Sequence, residues 1–257
     1  MRHFAILYCL FWGIIAPINA QKSKPLELKI LTYNINHGVS PKGKTNLLRV
    51  VSLIKKYKPD LVALQGLDSG AVGSGKLNQI RILSLLTGYD DYFAKAHDYQ
   101  GGATGVGILS RHPVDAVQHL KLPNPDSTRA RVLLCALVKL PENRYLRFCT
   151  TQLDDLSSMN RGVQAAVVNE ALQYSIQPVL LAGDFSAPPV DHELEVMYKY
   201  WKDAGHGTDA YTYVPDEMRY DYVWTLLNST LKLLDYTVLY ELDTSEHFPV
   251  LTTYQLK

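Results

Sequence analysis

From Leu26 onward, runs in which most positions are apolar alternate with runs whose apolar residues recur every third or fourth position. The first kind suits strands covered on both faces, and the second suits helices that bury one stripe. LELKILTYNI and DLVALQGL therefore read as strands, separated by a helix from about Lys44 to Tyr57 and followed by a second helix near Leu77 to Leu86. GVGILS, RVLLCALVKL and YLRFCTTQL read as successive short strands. A helix from about Asn160 to Tyr174, the strand PVLLAGDF, a helix near His192 to Lys202, and strands around YDYVWTL, LKLLDYTVLY and FPVLTTYQL complete the chain. No linker, repeat or low-complexity tract interrupts this order. Hairpins dominate the centre and helices lie between strands at both ends. The expected class is α/β (α+β), a four-layer sandwich of two mixed β-sheets with outer helices.

The first twenty residues follow another rule. Arg2 and His3 precede an apolar run from Phe4 to Ile15, then Pro17 and the small Ala20, which predicts an export signal cleaved after Ala20. The run falls short of the ~20 residues that span a bilayer, so no membrane span is expected after cleavage. The expected mature protein is one domain over residues 21–257, monomeric, and periplasmic or secreted. Apolar residues at 47% and charged residues at 20% exclude disordered, collagen-like and coiled-coil classes. Lys plus Arg at 26 against Asp plus Glu at 25 provides no strong nucleic-acid signal, although a local strip of Arg129, Arg131 and Arg161 stays open. Cys135 and Cys149 flank the turn Pro141-Glu142-Asn143. A two-residue hairpin there would set Cys135 opposite Thr150 and Cys149 opposite Ala136, on opposite faces, so two buried free thiols are expected.

Candidate chemistry sits where strands end. LTYN leaves Asn34 at the end of the first strand, VALQGLD leaves Gln65 and Gly66 near the end of the second, and LLAGDFSAPP leaves Asp184 and Ser186 after a fully apolar strand. Rigid strands hold the first polar residue beyond them in place, which is where ligands and catalytic groups collect. Asp221 lies inside the apolar run RYDYVW and needs a partner; His247, after Glu246, is available. Gly101-Gly102 and Gly105-Val106-Gly107 read as turn geometry rather than a phosphate cradle, because a strand and not a helix follows. The aromatic stretch from Tyr198 to Trp224 reads first as core packing, with a stacking rim as the alternative.

Seven ordered segments, LTYNINHG, PDLVALQGLD, GVGILSR, TTQLDD with Arg161 and Gln164, LAGDFSAPP, YDYVW and SEHFPV, resemble the endonuclease/exonuclease/phosphatase family, the deoxyribonuclease I-like hydrolases. The resemblance implies a deoxyribonuclease I-like sandwich and Mg²⁺-assisted phosphoester hydrolysis. It implies a phosphate-containing ligand of unspecified class, with catalytic roles at Asn34, Asp184, Asp221 and His247. An Asp that holds an imidazole keeps it oriented and protonated, able to bind a phosphoryl oxygen or protonate a leaving group.

Against the family pattern four positions are substituted. Gly66 stands where the pattern has a metal-binding Glu, Ser186 replaces the second Asn of G-D-x-N, Glu246 replaces the Asp of S-D-H, and Gln152 replaces the His of T-H-L-D. Asn34 with a weak contribution from Glu246 is the remaining expected metal set, and Asp68, two residues beyond Gly66, is a candidate rescue ligand. Mg²⁺ is commonly held by only one or two carboxylates, so loss of one predicts weak binding and an impaired catalyst. The alternative is an active, atypical Mg²⁺-dependent phosphodiester hydrolase.

Overall fold

The computed structural model describes residues 25–40, 43, 46–240 and 245–256. The expected export signal and the expected helix start at Lys44 lie outside these described residues. The strands are β1 (Leu26–Asn34), β2 (Leu61–Ser69), β3 (Asp90–Tyr99), β4 (Gly102–Ser110), β5 (Val114–Lys121), β6 (Val132–Leu140), β7 (Arg144–Gln152), β8 (Val179–Asp184), β9 (Trp201–Asp203), β10 (Asp221–Leu226), β11 (Leu231–Val238) and β12 (Val250–Leu256). They form two six-stranded sheets, ordered β11-β12-β1-β2-β4-β3 and β5-β6-β7-β8-β10-β9. Each sheet has one parallel pair near its middle, β1 with β2 and β7 with β8, and antiparallel neighbours elsewhere. The mixed sandwich expected from the sequence is therefore present.

Alternation along the strands sends side chains to two places. Ile30, Ala63 and Ile108 meet Leu134, Phe148 and Leu180 between the sheets. On the outer face of the first sheet, α1 (Leu47–Tyr57) and α2 (Gln79–Thr87) cover Leu31, Tyr33 and Val62 with Val50, Ile54, Ile80 and Leu83. On the outer face of the second, α3 (Ser158–Leu172) and α4 (Glu195–Tyr200) cover Leu133, Cys149 and Leu181 with Ala165, Val168 and Met197. Each fully buried aliphatic or aromatic side chain contributes roughly 1.5–3 kcal/mol. Local caps agree with this layout: Asn78 accepts from the Arg81 N–H at the start of α2, and Ser157 from the Asn160 N–H at the start of α3.

Three strands escape the apolar pattern. β3 and β5 are sheet edges that leave many positions partly or fully exposed, so neither carries a continuous apolar run. The expected helix to Lys202 stops at Tyr200, and Trp201–Asp203 pairs with β10 instead. Gly101 does lie in a tight turn, between β3 and β4, with Tyr99 paired to Gly102. The cysteine expectation is overturned. Pro141–Asn143 form a three-residue loop with Glu142 and Asn143 at positive φ, pairing Leu140 with Arg144. That one-residue difference in register puts Cys135 directly opposite Cys149 on one face, where they form a disulfide.

A fully buried polar contact joins the two sheets in the interior. Gln65 Nε2 on β2 donates to Thr150 Oγ1 on β7 at 2.9 Å and to Thr32 Oγ1 on β1 at 3.2 Å, and all three residues are fully buried. Among the described residues no helix is long and apolar enough to cross a membrane.

Candidate functional site

The two parallel pairs carry their C-terminal ends to the same side of the sandwich. Register sets Asn34 beside Gln65 in the first sheet and Gln152 beside Asp184 in the second. Asp221 opens β10 directly opposite Asp184, and His247 sits in the segment leading into β12. Residues more than two hundred positions apart thus meet at one floor.

Asn34 Nδ2 donates to Asp184 Oδ2 at 2.9 Å and lies 3.3 Å from His247 Nε2. Its Oδ1 accepts from the Asn36 N–H at 3.0 Å. Asp184 also accepts from Gln152 Nε2 (3.3 Å), from the Ser186 N–H (2.8 Å) and from Ser186 Oγ (3.2 Å). His247 Nδ1 is 2.8 Å from Asp221 Oδ2, and His247 Nε2 is 3.9 Å from Asp184 Oδ2. Asp221 is wholly buried, so its carboxylate depends on that imidazole. Burial alone would favour the neutral ring. Asp221, and behind it Asp184 and Glu246, outweigh burial and push the His247 pKa up to about 9. A phosphoryl oxygen entering here would meet an imidazolium and an amide donor side by side.

Gly66 occupies a bulge, where the pairing of β2 with β4 shifts between Leu64 and Leu67. Its φ is +61°, and a Cβ on it would lie 2.7 Å from Asn34 Oδ1 and 3.1 Å from the Asn36 nitrogen. Glu246 Oε2 accepts from Asn36 Nδ2 at 3.3 Å. Asp68 Oδ1 is 2.7 Å from His37 Nδ1. The side chains of Gln152, Ser186, Glu246 and Asp68 are therefore all held in contacts at or beside the floor.

Asp184, Asp221 and His247 each offer one ligand atom within 4.8 Å of the others, and this buried group can hold a metal ion. The donor set fits Mg²⁺ poorly. Mg²⁺ takes oxygen ligands in near-octahedral geometry, whereas His247 offers a nitrogen that the neighbouring carboxylates keep protonated. Beside Gly66 the amide oxygen of Asn34 is committed to a backbone N–H, and glycine contributes no carboxylate.

Above the floor opens a cleft of about 400 Å³ that brings in groups with no signature in the strand-end motifs. Asn36, His37, His97 and Tyr99 line the side belonging to the first sheet, and Arg129 and Arg131 line another wall. Both arginines bind Asp155, and Arg161 binds Glu193 at 2.9 Å, so the basic strip enters the cleft already paired. The aromatic stretch divides: Trp201, Tyr222 and Trp224 are core, while Tyr213 and Tyr220 stack on each other at the rim, 5.1 Å apart. Asn36 and His37 were detectable only as a polar pair before Gly38, directly after a strand.

The sequence profile of the Endonuclease/Exonuclease/phosphatase family matches residues 31–245, a span that includes every floor residue named above except Glu246 and His247. The chain belongs to that family. Solved structures agree on the fold. A Bacteroides thetaiotaomicron endonuclease/exonuclease/phosphatase family protein superposes with a TM-score of 0.76 over 91% of this chain and 100% of its own, at 15% identity. A mannosyl-6-phosphatase from the same species gives 0.74 over 88% and 99% at 16% identity. A humanized D. rerio TDP2 gives 0.70 over 89% and 98% at 20% identity. No curated protein sequence matches the chain significantly. Members of the family are typically metal-dependent, and its relatives include phosphatases and nucleases.

Proposed function

We propose that this chain is an exported family member that uses its cleft to bind a phosphate-bearing ligand, with metal-dependent hydrolysis lost or strongly reduced. The observation that carries this reading is Gly66. Glycine supplies no carboxylate where the family pattern places one, and its left-handed backbone, with a Cβ only 2.7 Å from Asn34 Oδ1, makes any side chain at this position strained. Without that carboxylate, metal retention rests on groups already engaged elsewhere. Each lost transition-state contact typically costs ~10² to 10³ in rate, and losses within one constellation do not simply add. Asn34, Asp184 and the Asp221–His247 pair keep the anion-binding half: Asn34 and His247 supply donors, Asp184 orients Asn34, and Asp221 holds the ring charged.

Export is supported by the signal-like first twenty residues and by the Cys135–Cys149 disulfide, which persists best in an oxidising compartment. The partner in this reading is a small phosphate-containing molecule, and the protein acts as a monomer. The test is purified mature protein with bis-p-nitrophenyl phosphate in Mg²⁺, Mn²⁺ or chelator. Negligible turnover in all three is expected. Turnover of roughly 1 to 10³ per second, abolished by chelator and by Asp184→Asn, would establish the active atypical hydrolase instead.

A further inference from the structure

The cleft holds a second imidazole–carboxylate pair, on the Gly66 side of its floor. Asp68, on β2, is 1% exposed; its Oδ1 lies 2.7 Å from His37 Nδ1, while its Oδ2 has no partner among the described residues. Such a carboxylate is costly to bury unless its charge is used. The His37 ring is fixed from several directions. Tyr99 stacks on it with centroids 4.5 Å apart and planes inclined by 15°. Gln79, itself buried, accepts from the Asp68 N–H through Oε1 at 2.8 Å and donates from Nε2 to the His37 carbonyl at 2.6 Å, tying the two residues together. The backbone is strained to present the ring: Asn36 and His37 are consecutive non-glycine residues at φ +44° and +59°. Asn34 Oδ1, accepting from the Asn36 N–H, holds that conformation.

With Nδ1 committed to Asp68, Nε2 is the atom left for a ligand, and it has no protein partner among the described residues. Carrying a proton it donates to a phosphoryl oxygen; without one it accepts from the hydroxyl of a phosphate monoanion. His247 likewise sets Nδ1 on a carboxylate, Asp221, while its Nε2 lies 3.3 Å from Asn34 Nδ2 at the floor, and both rings line the same cavity with Gly66. We propose that His37, positioned by Asp68, is a second phosphoryl-binding group, so that a phosphomonoester or free phosphate is held between two imidazoles without a divalent ion. The inference rests on the phosphate-cleft reading above and names how that cleft compensates for Gly66.

The test uses metal-stripped mature protein in EDTA, with inorganic phosphate as probe, followed by calorimetry and by NMR of ¹⁵N-histidine-labelled protein. Phosphate is expected to bind, to shift the His37 Nε2 resonance, and to bind about tenfold more weakly, or worse, to His37→Asn. Asparagine tolerates the left-handed backbone, so that variant is expected to fold. Asp68→Asn is expected to weaken phosphate similarly and to change the His37 tautomer, a signature that loss of packing alone does not produce. Should His37→Asn fail to fold, the wild-type Nε2 shift and the Asp68→Asn tautomer decide the matter. Phosphate bound by wild type and lost in His247→Asn, with an unmoved His37 ring and unchanged affinity in His37→Asn, would overturn this inference and leave the cleft reading standing. Binding that requires added Mg²⁺ would also overturn it. No binding to wild type at millimolar phosphate would overturn both.

Discussion

Replacing Gly66 with alanine adds one methyl group, and the surroundings specify its cost. At φ +61° an L-residue is disfavoured by about 1–2 kcal/mol. The new Cβ would also sit 2.7 Å from Asn34 Oδ1 and 3.1 Å from the Asn36 nitrogen, where overpacking typically costs 1–3 kcal/mol. Together these predict a loss of about 2–5 kcal/mol, or roughly 4–20 °C in melting temperature for a protein of this size. The two contributions are separable. In the Asn34→Ala background the closest contact is gone, so Gly66→Ala should cost less there, with a coupling of about 1 kcal/mol that only the clash explains. The backbone contribution should remain. Thermal and urea melts of the four proteins supply the cycle. Gly66→Ala melting within about 2 °C of wild type would falsify the claim that a side chain is strained at this position, and with it the argument that a glutamate there would be costly.

Three further outcomes follow from contacts away from that glycine. Asp203→Ala should destabilise by about 3–5 kcal/mol, because it strands the buried Arg219 guanidinium that now pairs bidentately with Asp203 at 3.0 and 2.6 Å; an unchanged urea midpoint would refute the pairing. Reducing the Cys135–Cys149 link, or replacing both cysteines with serine, should cost roughly 3 kcal/mol for a loop of about this length, read as a lower melting temperature in reductant. The His247 pKa is raised in the folded protein from 6.5 to about 9, so the stability it contributes is fully present below pH 6.5 and is lost as pH rises through 9. Asp221→Asn should therefore lag wild type most near pH 6 and least near pH 10, and a gap that does not vary with pH would contradict the ion pair.

The central strands and their terminal polar residues were legible because strands covered on both faces leave dense apolar runs, and the residue that ends such a run stands out. Asn34 and Asp184 were found that way; Asp221 stood out instead as a carboxylate inside an apolar run in need of a partner, and the structure places His247 against it at 2.8 Å. β3 and β5 were hidden because edge strands face water and need no apolar run. The disulfide was missed through a single residue of turn length: two loop residues separate the thiols and three unite them, and Pro141-Glu142-Asn143 does not announce which. Asn36 and His37 left no apolar signature because their geometry depends on left-handed backbone, which composition does not encode.

The hydrogen bond from Gln65 to Thr150 bears on how the two halves of the cleft stay in step. Apolar burial between two sheets is non-directional, so it drives them together without by itself dictating which polar groups meet. A buried amide must meet its own partner: displaced by one residue, it would lose that partner and leave an unsatisfied donor in the interior. Gln65 immediately precedes Gly66, and Thr150 lies two residues before Gln152. The contact therefore acts as a dowel against shear at the level of the floor, reinforcing the direct hydrogen bond that aligns Asn34 of one sheet with Asp184 of the other.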